Sequence, residues 1–226
     1  NERGQSSDNA VTGNAQLFLR LNQYWYSYLG GERREDGESM EGTFTSVGVD
    51  WMQLDIGYRP HWLSPMQHSA MLWSTNAETT PSLTLSSPSH IGAIGFRYEL
   101  FATKLSKSDN IAFNGGKTSG DPCAIGMHLS INPVKHVAFG VNRVMMYGGG
   151  DRGECHEPKD LFKAFFDPSS ADNAGDNLSK DDEFGNQSAS FTSRINVTGH
   201  IPFSLYFEYA GEDTSVNKFY RLGNAA

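Results

Sequence analysis

The stretch Ile125-Gly126-Met127-His128-Leu129-Ser130-Ile131-Asn132 decides the fold class. Apolar residues take every second position, and Gly, His, Ser and Asn fill the rest. Successive side chains of a strand point to opposite faces, so this segment is a strand with one apolar and one polar face. The turn Asn132-Pro133-Val134-Lys135 closes it tightly, with Pro supplying the bend. Outward in both directions the period of two recurs. Ala15, Leu17, Leu19 and Leu21 share a face, as do Met52, Leu54, Ile56 and Tyr58, and Ile94, Phe96, Tyr98 and Leu100. Further on, Ala189, Phe191, Ile195 and Val197 form one apolar face, and Phe203, Leu205, Phe207 and Tyr209 another. The opposite faces carry Arg20, Arg97, Glu99 and Arg194.

Connection lengths sharpen the reading. Thr198-Gly199-His200-Ile201-Pro202 is a second tight turn, whereas residues 30–42, 104–121 and 148–185 form long polar connections. Strands of about ten residues are long enough to cross a tilted bilayer path. Short turns at one end, long loops at the other and a charged second face suit a wet interior. The expected fold is therefore all-β, an antiparallel transmembrane β-barrel. Tyr24, Trp25, Tyr26 and Tyr28, with Trp62 and Trp73, stand near strand ends, where aromatic rings suit the water–lipid boundary. A soluble β-sandwich also alternates and stands as the other reading. Residues 1–226 read as a single β-barrel domain. The opening on Asn1 and the close on Gly223-Asn224-Ala225-Ala226 are read as the ends of a fragment of a longer barrel. One helix is expected, at residues 157–166, where Leu161, Phe162, Phe165 and Phe166 have helical spacing and Pro158 falls in the first turn. An apolar plug without a helix is the alternative there.

Composition narrows the function classes. The 226 residues carry 18 Lys and Arg against 26 Asp and Glu, a net charge of −8, which with no basic cluster argues against nucleic acid as a partner. Hydrophobic residues at 38% and aromatics at 12% exclude intrinsic disorder. No run approaches 18 apolar residues, so no transmembrane helix is expected, which leaves strands as a way to cross.

Signs of catalysis are sparse. Gly115-Gly116-Lys117-Thr118 looks like the tail of a phosphate loop, but Ile111 stands where that pattern needs Gly, so a solvated loop is expected. No Gly-x-Ser-x-Gly elbow occurs. Asp181-Asp182-Glu183 and Glu212-Asp213 read as hydrated loop acids, because a glycosidase needs two carboxylates held across a sugar. Asp151, Glu154 and His156 around Cys155 lack the spacing of a four-ligand zinc site, so no metal and no cofactor are expected. Cys123 and Cys155 both neighbour long connections on the same side; in an oxidising compartment they would pair, and two free thiols is the alternative.

A resemblance enters at Arg59-Pro60-His61-Trp62-Leu63-Ser64-Pro65, runs through Met71-Leu72-Trp73-Ser74-Thr75-Asn76-Ala77, and continues to Pro81-Ser82-Leu83-Thr84-Leu85. This succession, a Trp-rich turn, a strand ending in Ser-x-Asn-Ala and a Pro before the next strand, resembles the capsule assembly protein Wzi family. Val141-Asn142-Arg143, Met146-Tyr147-Gly148-Gly149, Asn177-Leu178 with Asp181-Asp182, and Tyr209-Ala210-Gly211-Glu212-Asp213 follow in the same order. The resemblance implies a noncatalytic protein of the bacterial outer membrane, a lectin-like barrel that binds capsular polysaccharide and helps to assemble or attach the capsule. Its partners would be the polysaccharide and outer-membrane lipid, with the chain acting as a monomer. Members are longer, with about eighteen strands, of which eight or nine are expected here. A sugar offers hydroxyls to charged side chains and C–H faces to aromatic rings. Tyr147, Asp151, Arg152 and Glu154 are accordingly the first ligand candidates, a ring and charges around the flexible Gly148-Gly149-Gly150. Arg59, Trp62, Trp73 and Asn76 are the second set, where the resemblance is densest. An outer-membrane diffusion channel and a soluble glycan-active β-sandwich enzyme remain the competing functions.

Overall fold

Residues 13–34, 37–76, 78–113, 116–153, 155 and 186–212 are described in a computed structural model. The alternating segments form strands that pair in chain order: β1 (Gly13–Arg20), β2 (Trp25–Arg34), β3 (Gly37–Ser39), β4 (Phe44–Val49), β5 (Met52–Gly57), β6 (Ser82–Ser86) and β7 (Arg97–Lys104). After a separate hairpin of β8 (Ser108–Phe113) and β9 (Gly116–Gly120) come β10 (Cys123–Val134), β11 (Val137–Tyr147), β12 (Asn186–Val197) and β13 (Phe203–Glu212). The main sheet runs β1-β2-β4-β5-β6-β7-β10-β11-β12-β13, with β3 beside β2. Every pairing in it is antiparallel. The path holds more strands than the eight or nine read from the sequence, because β4 and β5 form a hairpin across the two-residue turn at 50–51.

Register carries each face across the sheet, with Arg143 on the apolar face and Phe101 and Val144 on the polar one as exceptions. Leu54, Leu85, Leu100 and Met127 stand opposite one another across four strands. One residue along, Asp55, Thr84, Phe101, Gly126 and Val144 form the matching row of the other face. Burial of the two faces is the reverse of a water-soluble sheet. On the apolar face Leu17, Leu29, Ile56, Leu83, Leu205 and Phe207 are 46–58% exposed, while on the polar face Ser46, Asp55, Thr84, Asn142 and Ser190 are at most 1% exposed.

Antiparallel neighbours put alternate connections at opposite ends. The connections at 21–24, 50–51, 87–96, 135–136 and 198–202, two to ten residues long, share the short-turn end, and those at 35–43, 58–81, 105–122 and 148–185, nine residues or longer, share the long-connection end. Among the described residues no helix is long and apolar enough to cross a membrane, which says nothing against crossing by strands.

Several sequence-based expectations shift. Residues 71–76 are not a strand; the described residues between β5 and β6 form an irregular connection. Ile94 lies in a turn, with Ile91 and Phe96 bridged, so β7 starts only at Arg97. Lys117 and Thr118 belong to a strand rather than an open loop; their hairpin is built of small polar residues with little hydrophobic alternation to reveal it. The segment at 157–166 lies outside the described residues.

Candidate functional site

The chain leaving β5 at the long-connection end turns inward over the polar face. Asp55, 1% exposed, accepts from Gln53 Nε2 at 2.8 Å and from the Ser46 hydroxyl, and pairs with Arg59. The Nη2 of Arg59 donates to Glu99 Oε2 at 2.8 Å. His61 donates from Nδ1 to the other Glu99 oxygen at 2.8 Å and has the Ser82 hydroxyl 3.1 Å from Nε2. A buried charge left alone costs several kcal/mol, so this closed set of partners lets charges sit inside. The imidazole also lies flat on Phe101, with ring centroids 3.8 Å apart and planes 10° from parallel.

Beyond His61 the connection packs as a core. Leu63 is 1% exposed and clusters with Phe101 and Val144, with Leu72 and Trp73 against them. The carbonyl of Leu63 accepts from Asn142 Nδ2 at 3.2 Å, and the same amide donates to Ser190 at 2.9 Å. Ser64 donates to Glu208 on β13 at 2.7 Å. One connection thus touches β7, β11 and β13, which requires the sheet to curve around it. Gly126 makes room, since a Cβ there would overlap the Phe101 ring.

This arrangement places the second candidate set. Arg59 is bound on both sides by carboxylates, and Trp73 meets Phe101 edge-on at 5.1 Å. Trp62 donates from its indole N–H to the Met66 carbonyl at 2.8 Å and is half-buried. Trp62 and Trp73 therefore fold the connection rather than ring a lipid boundary; exposed rings near the short turns include Tyr24, Trp25, Trp51 and Phe203. Asn76 is exposed, with its backbone N–H on Ser74 Oγ. A crevice beside Arg59, His61, Trp73 and Glu78 measures about 30 Å³, room for a water but not for a sugar ring.

The first candidate set sits on a different support. The helical turn Gly150–Arg152 lies against the β8–β9 hairpin. Asp151 accepts from the Thr118 hydroxyl at 2.9 Å, and its own backbone N–H donates back to that oxygen at 3.1 Å. Arg152 donates from Nε to the Ala112 carbonyl at 2.6 Å. Gly149, at φ 88 and against Pro122, holds a backbone shape that a side chain would strain. Cys123 and Cys155 are joined as a disulfide with Cα atoms 6.0 Å apart, tying this turn to the start of β10. Asp151 is exposed and Arg152 half-exposed, whereas Tyr147 is only 4% exposed, so its ring is not an open stacking face. Glu154 lies outside the described residues.

The structure thus joins Asp151 and Arg152 through one hairpin, and Arg59 and Trp73 through one core cluster. Asp55, His61, Glu99, Asn142 and Glu208 were missed as partners, although Asp55 and Glu99 are carboxylates on polar strand faces and Arg59 follows Asp55 by four residues. Their pairing depends on which strands become neighbours.

No curated protein matches this sequence. A similar solved structure is Wzi, an outer-membrane protein involved in group 1 capsule assembly in Escherichia coli and described as a carbohydrate-binding β-barrel; it is 16% identical, with a TM-score of 0.69. The match covers 94% of this chain and 45% of that one, so the chain spans about half of its length. The family model for capsule assembly protein Wzi matches residues 3–225, and the chain belongs to that family.

Proposed function

We propose that this chain forms part of an outer-membrane β-barrel that binds capsular polysaccharide at its long-connection end and does no catalysis. The observation that carries the reading is the inverted burial, an apolar face open and a polar face filled. A soluble sandwich buries its apolar faces against each other, whereas a membrane barrel turns them to lipid. β10 to β13 run 12, 11, 12 and 10 residues, enough to cross a bilayer at a tilt. β1 and β13 are the ends of the sheet path. Open edges are not stable in hydrocarbon, so residues 1–226 are taken as a single domain that is part of a larger closed barrel.

The packing of the 58–81 connection on the polar face argues against a diffusion channel, because it fills space inside the curve of the described sheet. Polysaccharide is then met at the loops. Asp151 and Arg152 offer charged hydrogen-bonding groups there, on a support fixed by the hairpin and the disulfide. The relative's printed description as carbohydrate-binding supports this choice of ligand. Full-length protein reconstituted in vesicles should retain capsular polysaccharide in a pull-down and show no steady single-channel conductance. Conductance with no polysaccharide retention would favour the channel.

A further inference from the structure

We propose that the apolar face carries a binding groove for one anionic glycerophospholipid of the periplasmic leaflet; this rests on the membrane-barrel reading. The groove has a volume of about 500 Å³ and its lining is almost entirely carbon. Its origin is a small residue among large ones. Ser193 on β12 faces outward between Phe139 of β11 and Phe207 of β13, its direct register partners. Phe191, two residues along β12 on the same face, and Phe96 complete the walls. Serine beside Phe on both flanking strands opens a trough whose lining spans the strands from Phe96 to Phe207, with Leu129, Ile131 and Val141 as its floor, wide enough to take part of an acyl chain. Hydrocarbon is the surrounding solvent in a membrane, so a single chain can fill it without a polar penalty.

The position sets which lipid. Phe139 is two residues from the start of β11, Phe207 four from the start of β13, and Phe191 six from the end of β12, all counted from the short-turn end. At about 3.3 Å per residue the groove lies roughly 7–20 Å from that end, within about one leaflet's depth. Short turns of outer-membrane barrels face the periplasm.

The turns above the groove have the matching chemistry. The connections at 87–96, 135–136 and 198–202 contain Lys135, His90, His136 and His200 and no Asp or Glu. The carbonyl of His136 accepts from the Asn196 N–H at 2.9 Å, which brings the β10–β11 turn to the end of β12. A two-residue hairpin turn favours Asn-Gly. Here it is Lys135-His136, and His136 adopts φ 73, the positive-φ non-glycine among the described residues. Backbone strain of this kind accumulates where a side chain has a function. A phosphate above the groove would meet the Lys135 ammonium and imidazole N–H groups, while one acyl chain runs down between the phenylalanines.

The test uses the full-length protein, extracted from outer membranes in mild detergent and weighed intact by native mass spectrometry with added phosphatidylglycerol. Wild type should hold one phosphatidylglycerol through activation that strips phosphatidylethanolamine. The double variant K135N/H136G restores a favoured turn, so it should fold and migrate on gels as a heat-resistant barrel, yet retain at least fivefold less phosphatidylglycerol. Ser193→Phe should lose retention as well by filling the trough, and Ser193→Ala should keep it. Equal retention by wild type and by folded K135N/H136G and Ser193→Phe would overturn the proposal, as would a preference for lipopolysaccharide. Carbonate extraction of the wild type separates the two levels. A chain released by carbonate would defeat the membrane reading and this inference together, whereas a resistant chain without selective lipid defeats the inference alone.

Discussion

The two regions that hold the ligand candidates use similar residues for opposite ends. In the 58–81 connection, Arg59 is enclosed by Asp55 and Glu99, Trp73 packs on Phe101, and Leu63 is sealed beneath β11. At the 150–152 turn, Asp151 and Arg152 each make a hydrogen bond to the β8–β9 hairpin and keep an exposed side. An arginine or tryptophan in the first region holds the fold, and in the proposed reading the exposed Asp151 of the second serves a ligand. The difference lies in partners rather than residue type, and it predicts that the two sets fail differently when mutated.

The largest effect should come from Asp55→Ala. It removes the buried acceptor shared by Ser46, Gln53 and Arg59, leaves Arg59 with the Glu99 carboxylate alone, and should cost about 3–5 kcal/mol. Heat-resistant migration of the barrel on gels would fall sharply; unchanged migration would break the claim that this network holds the connection. Removing the Cys123–Cys155 bond comes next. The cysteines are 32 residues apart, and the chain-entropy estimate for such a loop is about 3–4 kcal/mol, an upper bound. Unreduced, exported protein should show neither thiol free to alkylation, and free thiols would remove the staple from the account.

Phe207→Arg, halfway along β13, probes the face that both regions leave outside. At 58% exposure, a cation there should cost little in water but about 2–4 kcal/mol in the middle of a membrane. Folding yield into vesicles decides between the two, and an undiminished yield would argue for an aqueous face.

How much of this was legible in the sequence follows the range of the interactions involved. The period of two reports which way each side chain points, and Leu17, Leu54, Phe191 and Leu205 duly share the exposed face. Where apolar alternation was absent, as in β8 and β9, the strands were hidden. The connection at 58–81 was harder still. Trp62 and Trp73 look alike whether they ring a membrane boundary or pack a core, and only the Trp62 hydrogen bond to Met66 and the packing of Trp73 on Phe101 and Val144, brought from distant strands, separate the cases. Asp151 was recognised as a loop charge, but its support, Thr118, is 33 positions away on a hairpin that the sequence did not reveal.

The smallest structural effect belongs to Asp151→Asn, and it is the most direct test of the central claim that polysaccharide is met at the loops. An asparagine oxygen can still accept from Thr118, so the turn should stay in place and stability should change by under about 0.5 kcal/mol. Losing a hydrogen bond to a charged group is worth about 1.5–3 kcal/mol, or roughly tenfold or more in affinity. Capsular polysaccharide affinity should be measured on full-length wild type, Asp151→Asn and Trp73→Ala, with gel migration as the folding control. The account predicts a folded Asp151→Asn with affinity down about tenfold, and a Trp73→Ala whose loss of binding tracks its loss of folded barrel. A folded Asp151→Asn that binds like wild type, beside a fully folded Trp73→Ala that does not bind, would contradict it.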